Sequence, residues 1–246
     1  MIKMTTKIVI QEGKKIPEGS IVIEGFPSKG FVSTIAARYM IDELGMEVIG
    51  CIESDKLRSV AVIHDAAPMR PIRIYSKDNI IVIFSELIIP VSYVPEFSNA
   101  LINWLRGINP SKVVLLAGIS GRVTDKEHEI LGIANTHELN EKLEELDVTK
   151  IEEGILTGIS SDLLLYCVEN NVPTISLMAE TEYVPDPLAS ASMLNILNKL
   201  LDLGIDTRRL INEGKRIEKM FKEITEQLKR GKSGYREMEE YSPMYG

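Results

Sequence analysis

The sequence predicts an α/β fold, a largely parallel sheet flanked by helices, with a C-terminal helix and tail appended. Three observations carry that expectation. Short β-branched runs alternate with segments of helical periodicity as far as residue 204. Residues 112–117 form a continuous apolar run that ends in Gly118-Ile119-Ser120-Gly121, as expected of a strand buried on both faces and feeding a loop. Gly25-Phe26-Pro27-Ser28-Lys29-Gly30 stands between a strand-like run and a helix-like one, the opening of an α/β unit.

Taken in order, residues 7–10 and 20–24 read as strands, parted by the turn-prone Glu12-Gly13 and Pro17-Glu18-Gly19. A helix over residues 33–44 follows, with Ile35, Ala36, Tyr39, Met40 and Leu44 at helical spacing and Gly45 as its C-cap. Residues 47–52 return as a strand. Residues 59–63, 71–75 and 80–84 read as an antiparallel insertion, with Asp78-Asn79 as a tight hairpin turn. Ser92 or Pro95 opens a helix that reaches Gly107 and contains Trp104.

Residues 129–133 suggest another strand. Thr136 is the expected N-cap of a helix over 137–146, with Leu139, Leu143 and Leu146 on one face. A short strand and turn are expected at 154–158, with Ser160 capping a helix through Val168. The last strand is expected at 173–178. Val184-Pro185-Asp186-Pro187 then leads into a helix over 188–203, ended by Gly204. The chain thus divides into an α/β domain (1–204), an amphipathic helix (205–230) and a tail (231–246).

The amphipathic helix carries Leu210, Ile217, Phe221, Ile224 and Leu228 in one narrow seam of 3.5-residue period. Such a seam packs either on its own body or against neighbouring subunits, with Ile217, Phe221, Ile224 and Leu228 as the candidate oligomer contacts. The tail ends on Met244-Tyr245-Gly246. A hydrophobic residue, a penultimate tyrosine and a terminal carboxylate make a compact docking tag: the methionine fills a pocket, the ring adds area, and the carboxylate pairs with a lysine.

Composition narrows the function. The chain of 246 residues is 44% hydrophobic and 26% charged, as in an ordinary globular protein. Its net charge of -8 argues against nucleic acid as the main partner. There is no apolar run near the ~20 residues that span a bilayer, and the first residues lack the apolar core of a signal peptide. Cys51 and Cys167 make neither a disulfide framework nor a zinc pattern. A cytoplasmic protein with no membrane partner is expected.

The search for catalytic groups does not converge. The Gly25–Gly30 turn departs from the phosphate-loop and dinucleotide patterns, since Lys29 precedes the last glycine and Phe26 and Pro27 replace glycines. His128 and His137 match no common zinc spacing, and His64-Asp65 reads as a surface pair. Ser120, Ser160 and Ser161 lie on glycine-rich loops but lack the nucleophile-elbow pattern. Asp186, bracketed by Pro185 and Pro187, reads as a helix-capping residue rather than a metal ligand beside Glu180 and Glu182. No catalytic residue, metal or cofactor is expected.

Two stretches together carry a family resemblance. Gly25-Phe26-Pro27, with Gly30 and Val32, resembles the Gly-Phe-Pro-x-x-Gly-x-Val turn of the proteasome assembly chaperone family. Pro185-Asp186-Pro187, followed by Ala189 and Ser190, resembles that family's Pro-Asp-Pro-x-Ala-Ser motif; residues 154–160 match its glycine-serine loop loosely. The resemblance, over most of residues 20–204, departs at Ser28-Lys29, where small residues and glycine are usual. It implies a phosphorylase- or hydrolase-like sandwich used as a scaffold, and an archaeal homo-oligomer, expected as a tetramer or pentamer. It also implies that Met244-Tyr245-Gly246 is a tag for the pockets of the proteasome core particle, or is held in reserve for another chaperone-like protein. The alternative is a small-molecule hydrolase, transferase or ATP-dependent ligase using the Gly25–Gly30 turn and Asp186.

Overall fold

In the computed structural model, the structure describes residues 6–57, 60–121 and 128–214. The elements run β1 (Lys7–Ile10), β2 (Ile21–Gly25), α1 (Val32–Leu44), β3 (Glu47–Glu53), β4 (Val62–His64), β5 (Ala67–Met69), β6 (Ile72–Lys77) and β7 (Ile80–Ser85). They continue with α2 (Val94–Ile108), β8 (Lys112–Ser120), β9 (Ile130–Ala134), α3 (His137–Glu145), β10 (Thr149–Lys150), α4 (Ile159–Glu169), β11 (Thr174–Thr181) and α5 (Pro187–Leu201). The oligomer-seam candidates Ile217, Phe221, Ile224 and Leu228 and the Met244-Tyr245-Gly246 tag lie outside the described residues.

Nine strands form one sheet in the order β1-β3-β6-β7-β2-β8-β11-β9-β10. The four central strands, β7, β2, β8 and β11, are mutually parallel. Antiparallel pairings flank them: β7 with β6, β6 with β3 and β3 with β1 on one side, β11 with β9 on the other. The α/β class, with a mostly parallel sheet between helices, is as expected from the sequence.

The central strands read as continuous apolar runs because both of their faces are covered. Alternate residues serve two separate cores. Ile23, Val82, Phe84, Val114 and Leu116 pack under α1, α3 and α5. Val22, Ile81, Ile83, Val113 and Leu115 pack under α2 and α4.

Local signals hold where the chemistry is local. Gly45 ends α1 in the left-handed conformation at φ 60, and the Thr136 hydroxyl accepts from Leu139 N at 3.3 Å. Asp78, at φ 50, turns the β6–β7 hairpin. Other details differ. Residues 154–158 form a loop, not a strand, and the N-cap of α4 is Gly158, with Ser160 inside the helix. The insertion contains a separate β4–β5 hairpin outside the main sheet, and the two-residue β10 extends the opposite edge.

His64 does not pair with Asp65: Asp65 turns the β4–β5 hairpin at φ 49, and His64 Nε2 lies 2.8 Å from Glu86 Oε1. The same carboxylate accepts from the buried Arg73 guanidinium at 2.7 Å. Arg73 also donates to Tyr75 Oη and Arg70 O, so its charge is spread over three acceptors. This network ties the end of β7 to the antiparallel flank.

Candidate functional site at the carboxyl edge of the sheet

Parallel strands deliver their following loops to one edge, where α/β folds commonly place their sites. Here β2 leads into the 25–30 turn, and β11 leads into the 182–186 loop. The strands are separated only by β8, so the two motif stretches, more than 150 positions apart in sequence, arrive as neighbours.

The first turn is bolted down by serines. Ser33, in the first turn of α1, donates its hydroxyl to Phe26 O and shares a 2.7 Å hydrogen bond with Ser28 Oγ. Ser28 Oγ accepts from Gly118 N at 2.8 Å, which fastens the turn to β8. A Cβ at Gly118 would collide with the Lys29 carbonyl, so this approach requires glycine. The Phe26 ring turns to the other face and meets Phe97 of α2 edge-on, with centroids 5.7 Å apart. Gly30 sits at φ 67, and a Cβ there would lie 2.9 Å from the Thr181 side chain. Two independent constraints therefore select this glycine.

The second motif meets the first directly. Asp186 N donates to Gly30 O at 2.9 Å. The Asp186 side chain is buried with both oxygens engaged: Oδ1 accepts from Ala189 N at 2.9 Å, and Oδ2 accepts from the Thr181 hydroxyl at 2.6 Å. Ser190 closes the turn by donating its hydroxyl to Asp186 O at 2.8 Å. The Val184–Pro185 peptide is cis, and Pro187 is the first residue of α5, where a missing N–H costs nothing. Asp186 is thus the N-cap that its sequence setting suggests. His128, also buried, approaches the same carboxylate, with Nε2 3.4 Å from Oδ1 and Nδ1–H donating to Glu180 O at 2.9 Å.

On the opposite face lies an acid that sequence reasoning did not single out. Glu24, the penultimate residue of β2, is 1% exposed. Its Oε1 accepts from Phe26 N at 3.1 Å and its Oε2 from the Ser160 hydroxyl at 2.9 Å. Burial disfavours the charged form and pushes the carboxyl up to about 7, against the opposing pull of the Ser160 and Phe26 hydrogen bonds. A lone acid at the end of the apolar run Ile21-Val22-Ile23 is the signal that could have found it. Its partner Ser160, 136 positions away, had no such signal.

Among the described residues the arrangement is a hydrogen-bonded ledge that joins the two motif turns. Gly25, Phe26, Pro27, Gly30, Pro185, Asp186, Pro187, Ala189 and Ser190 come together as its framework, hydrogen-bonded to each other and to β8 and β11. Among the described residues, the ledge presents both charged and apolar side chains outward: Lys29 and Glu182 are exposed beside Phe31, Tyr183 and Val184, which are 39%, 43% and 53% exposed. Among the described residues, no helix is long and apolar enough to cross a membrane.

Comparison with known proteins gives the chain relatives of the same fold. A model of the PAC2 family matches residues 22–225, a span that contains both motif stretches. The chain is 33% identical over 219 residues to an uncharacterized protein of Methanocaldococcus jannaschii, covering 89% of this chain and 90% of the relative. Its structure is similar to the crystal structure of PbaA from Pyrococcus furiosus, an archaeal homolog of proteasome-assembly chaperone. The TM-score is 0.83 at 32% identity, with 96% of each chain covered. PbaB from the same organism, an archaeal proteasome activator, is similar in fold at TM-score 0.77 and 23% identity, covering 90% of this chain and 99% of that one.

Proposed function

The chain belongs to the PAC2 family, and on that premise we propose that it is a homo-oligomeric proteasome-assembly-chaperone-like or proteasome-activator-like protein. It acts as a non-catalytic scaffold. Its Met244-Tyr245-Gly246 tail either docks on a proteasome core particle or is held in reserve for another chaperone-like protein. The observation that carries this reading is the whole-length likeness to the P. furiosus chaperone homolog. The site chemistry is consistent with a scaffold: Ser160 spends its hydroxyl hydrogen on the buried Glu24, and Asp186 spends its oxygens on a helix cap and a threonine.

Multivalency supplies the mechanism. A three-residue tag binds weakly, but several tags on one tetrameric or pentameric ring raise the effective concentration of each remaining tail once the first has engaged. Residues 231–246 reach at most ~50 Å when extended, at ~3.3 Å per residue, which bounds the separation between ring and target. The test is capture of purified core particle by the full chain and by a variant lacking residues 244–246. The full chain is expected to retain core particle and the truncated chain to lose it. Equal capture by both would remove the tail mechanism, and a monomeric mass in solution would remove the ring.

A further inference from the structure

The described backbone does not stop at the end of α5. Asp202 caps that helix in the left-handed conformation at φ 53, and Gly204 follows at φ 68, so the chain reverses within a few residues. It then runs back antiparallel to α5. Ile205 lies beside Asn198, Thr207 beside Asn195, and Gly214 beside Pro187 and Leu188, so the partners step from the last turn of the helix to its first. Residues 208–214 are helical, opened by Thr207, whose carbonyl accepts from Ile211 N at 3.0 Å.

Three side chains of the body hold this return segment. The Asn198 amide plays the part of a neighbouring strand: its Oδ1 accepts from Ile205 N at 2.9 Å and its Nδ2 donates to Ile205 O at 2.6 Å. Asn195 Oδ1 accepts from the Thr207 hydroxyl at 2.8 Å. Tyr39, on α1, donates its hydroxyl to Asp206 O at 2.8 Å. The Arg209 guanidinium lies 5.4 Å from the centre of the same ring and 3.5 Å from Glu43, one turn further along α1. Among these polar ties, Ile205 and Leu210 are buried in the core that α1 and α5 cover, and Ile211 packs against it. Gly214 is buried too, and a Cβ there would stand 3.0 Å from Leu188 and 3.2 Å from Pro187. The Pro185–Pro187 loop therefore meets Gly30 through Asp186 N and Gly214 through Pro187.

We propose that the α/β domain extends through residue 214, with residues 205–214 as a clasp across α1 and α5. Asn198, Asn195 and Tyr39 are then positioning residues that fix the point and the direction in which the C-terminal segment leaves the body. That point is the carboxyl edge, at the first turn of α5. Without the clasp the root of the segment would lie at the other end of the 15-residue α5, ~20 Å away at ~1.5 Å per residue. Such a shift is a large part of the ~50 Å that residues 231–246 can span when extended. The inference concerns where the segment departs and holds whatever the tail binds.

Native-state proteolysis of the full chain tests it. The Arg208 and Arg209 side chains are exposed, so trypsin is slowed there only where the backbone is held. Cleavage after Arg209, read by mass spectrometry, is expected to run at least about tenfold faster in Asn198→Ala than in the parent, because cutting follows the population of the locally opened form. Asn198→Asp keeps the acceptor for Ile205 N but loses the donor to Ile205 O, and should behave as the alanine variant does. Tyr39→Phe, which deletes one hydroxyl, should act in the same direction more weakly. Thr136→Ala, at the cap of α3, should leave this cleavage at the parent rate. Parent cleavage as fast as in a free peptide of residues 202–214 would overturn the clasp, and equal acceleration in Thr136→Ala would overturn the local assignment. A nitroxide on Asn212→Cys, in a Cys51→Ala, Cys167→Ala background, reads the direction itself: an immobilised spectrum is expected, becoming mobile in Asn198→Ala. A label equally mobile with and without Asn198 would overturn the positioning role.

Discussion

Asp186 and Glu24 are both buried acids at the carboxyl edge, on opposite faces of one sheet, yet they are held in different ways. Asp186 stands at the mouth of α5, with a backbone N–H and a threonine hydroxyl on its two oxygens and the His128 ring 3.4 Å away. Glu24 has one backbone N–H and one serine hydroxyl and no cationic partner within ion-pair distance among the described residues; burial lifts its carboxyl to about 7. The difference is one of purpose. Asp186 joins two loops and starts a helix, so its charge is used structurally. Glu24 fastens α4 to the end of β2 while bearing an uncompensated desolvation cost whenever it ionises.

The largest effect is expected from Asp186→Ala. It removes the cap of α5 and the buried hydrogen bond from the Thr181 hydroxyl to Asp186 Oδ2, a loss of about 3 kcal/mol in chemical denaturation. A loss below about 1 kcal/mol, the worth of a cap alone, would show that the aspartate is no more than a cap.

Glu24→Gln should act in the opposite direction. The folded protein keeps the Glu24 proton up to about pH 7, whereas the unfolded chain releases it near 4.5. The folded state therefore binds more protons between those values, and its stability falls as pH rises through that window. The substitution removes the ionisation, so the variant should match the parent at pH 4 and exceed it at pH 8 by up to about 3 kcal/mol. Parallel stability–pH curves for the two proteins would refute the assignment of this acid.

Gly30→Ala strains a backbone at φ 67 and presses on Thr181, with an expected loss of about 1–2 kcal/mol. It separates the geometry of the ledge from the charge of Asp186, and an unchanged melting temperature would mean that the turn relocates freely. Ser160→Ala should be the mildest, costing about 1 kcal/mol at pH 8 and less at pH 4, because the hydroxyl it removes favours the ionised form of Glu24. An equal loss at both pH values would place Ser160 outside the titration.

The two acids also mark how far sequence reading reaches. Asp186 was legible because its bond to Ala189 N spans three residues, and flanking prolines announce a helix start. Thr136 and Gly45 were legible for the same local reason. Ser160 was misread as a cap because a serine before an apolar run looks like one; in the fold Gly158 takes that place and Ser160 turns to a carboxylate on another strand. The antiparallel direction of β9 was not legible at residues 129–133, since the pattern of apolar residues records burial but not direction.

By itself the sequence determined the α/β class, the strand–turn–helix at residues 25–30, the Asp186 cap and the family, because each rests on periodicity, capping or motif within a few residues. Tertiary structure alone decided that the two motif turns share a hydrogen bond and that Glu24 is buried against Ser160. Those facts depend on the order of strands in the sheet, which brings residues far apart in the chain to one edge and removes them from water together.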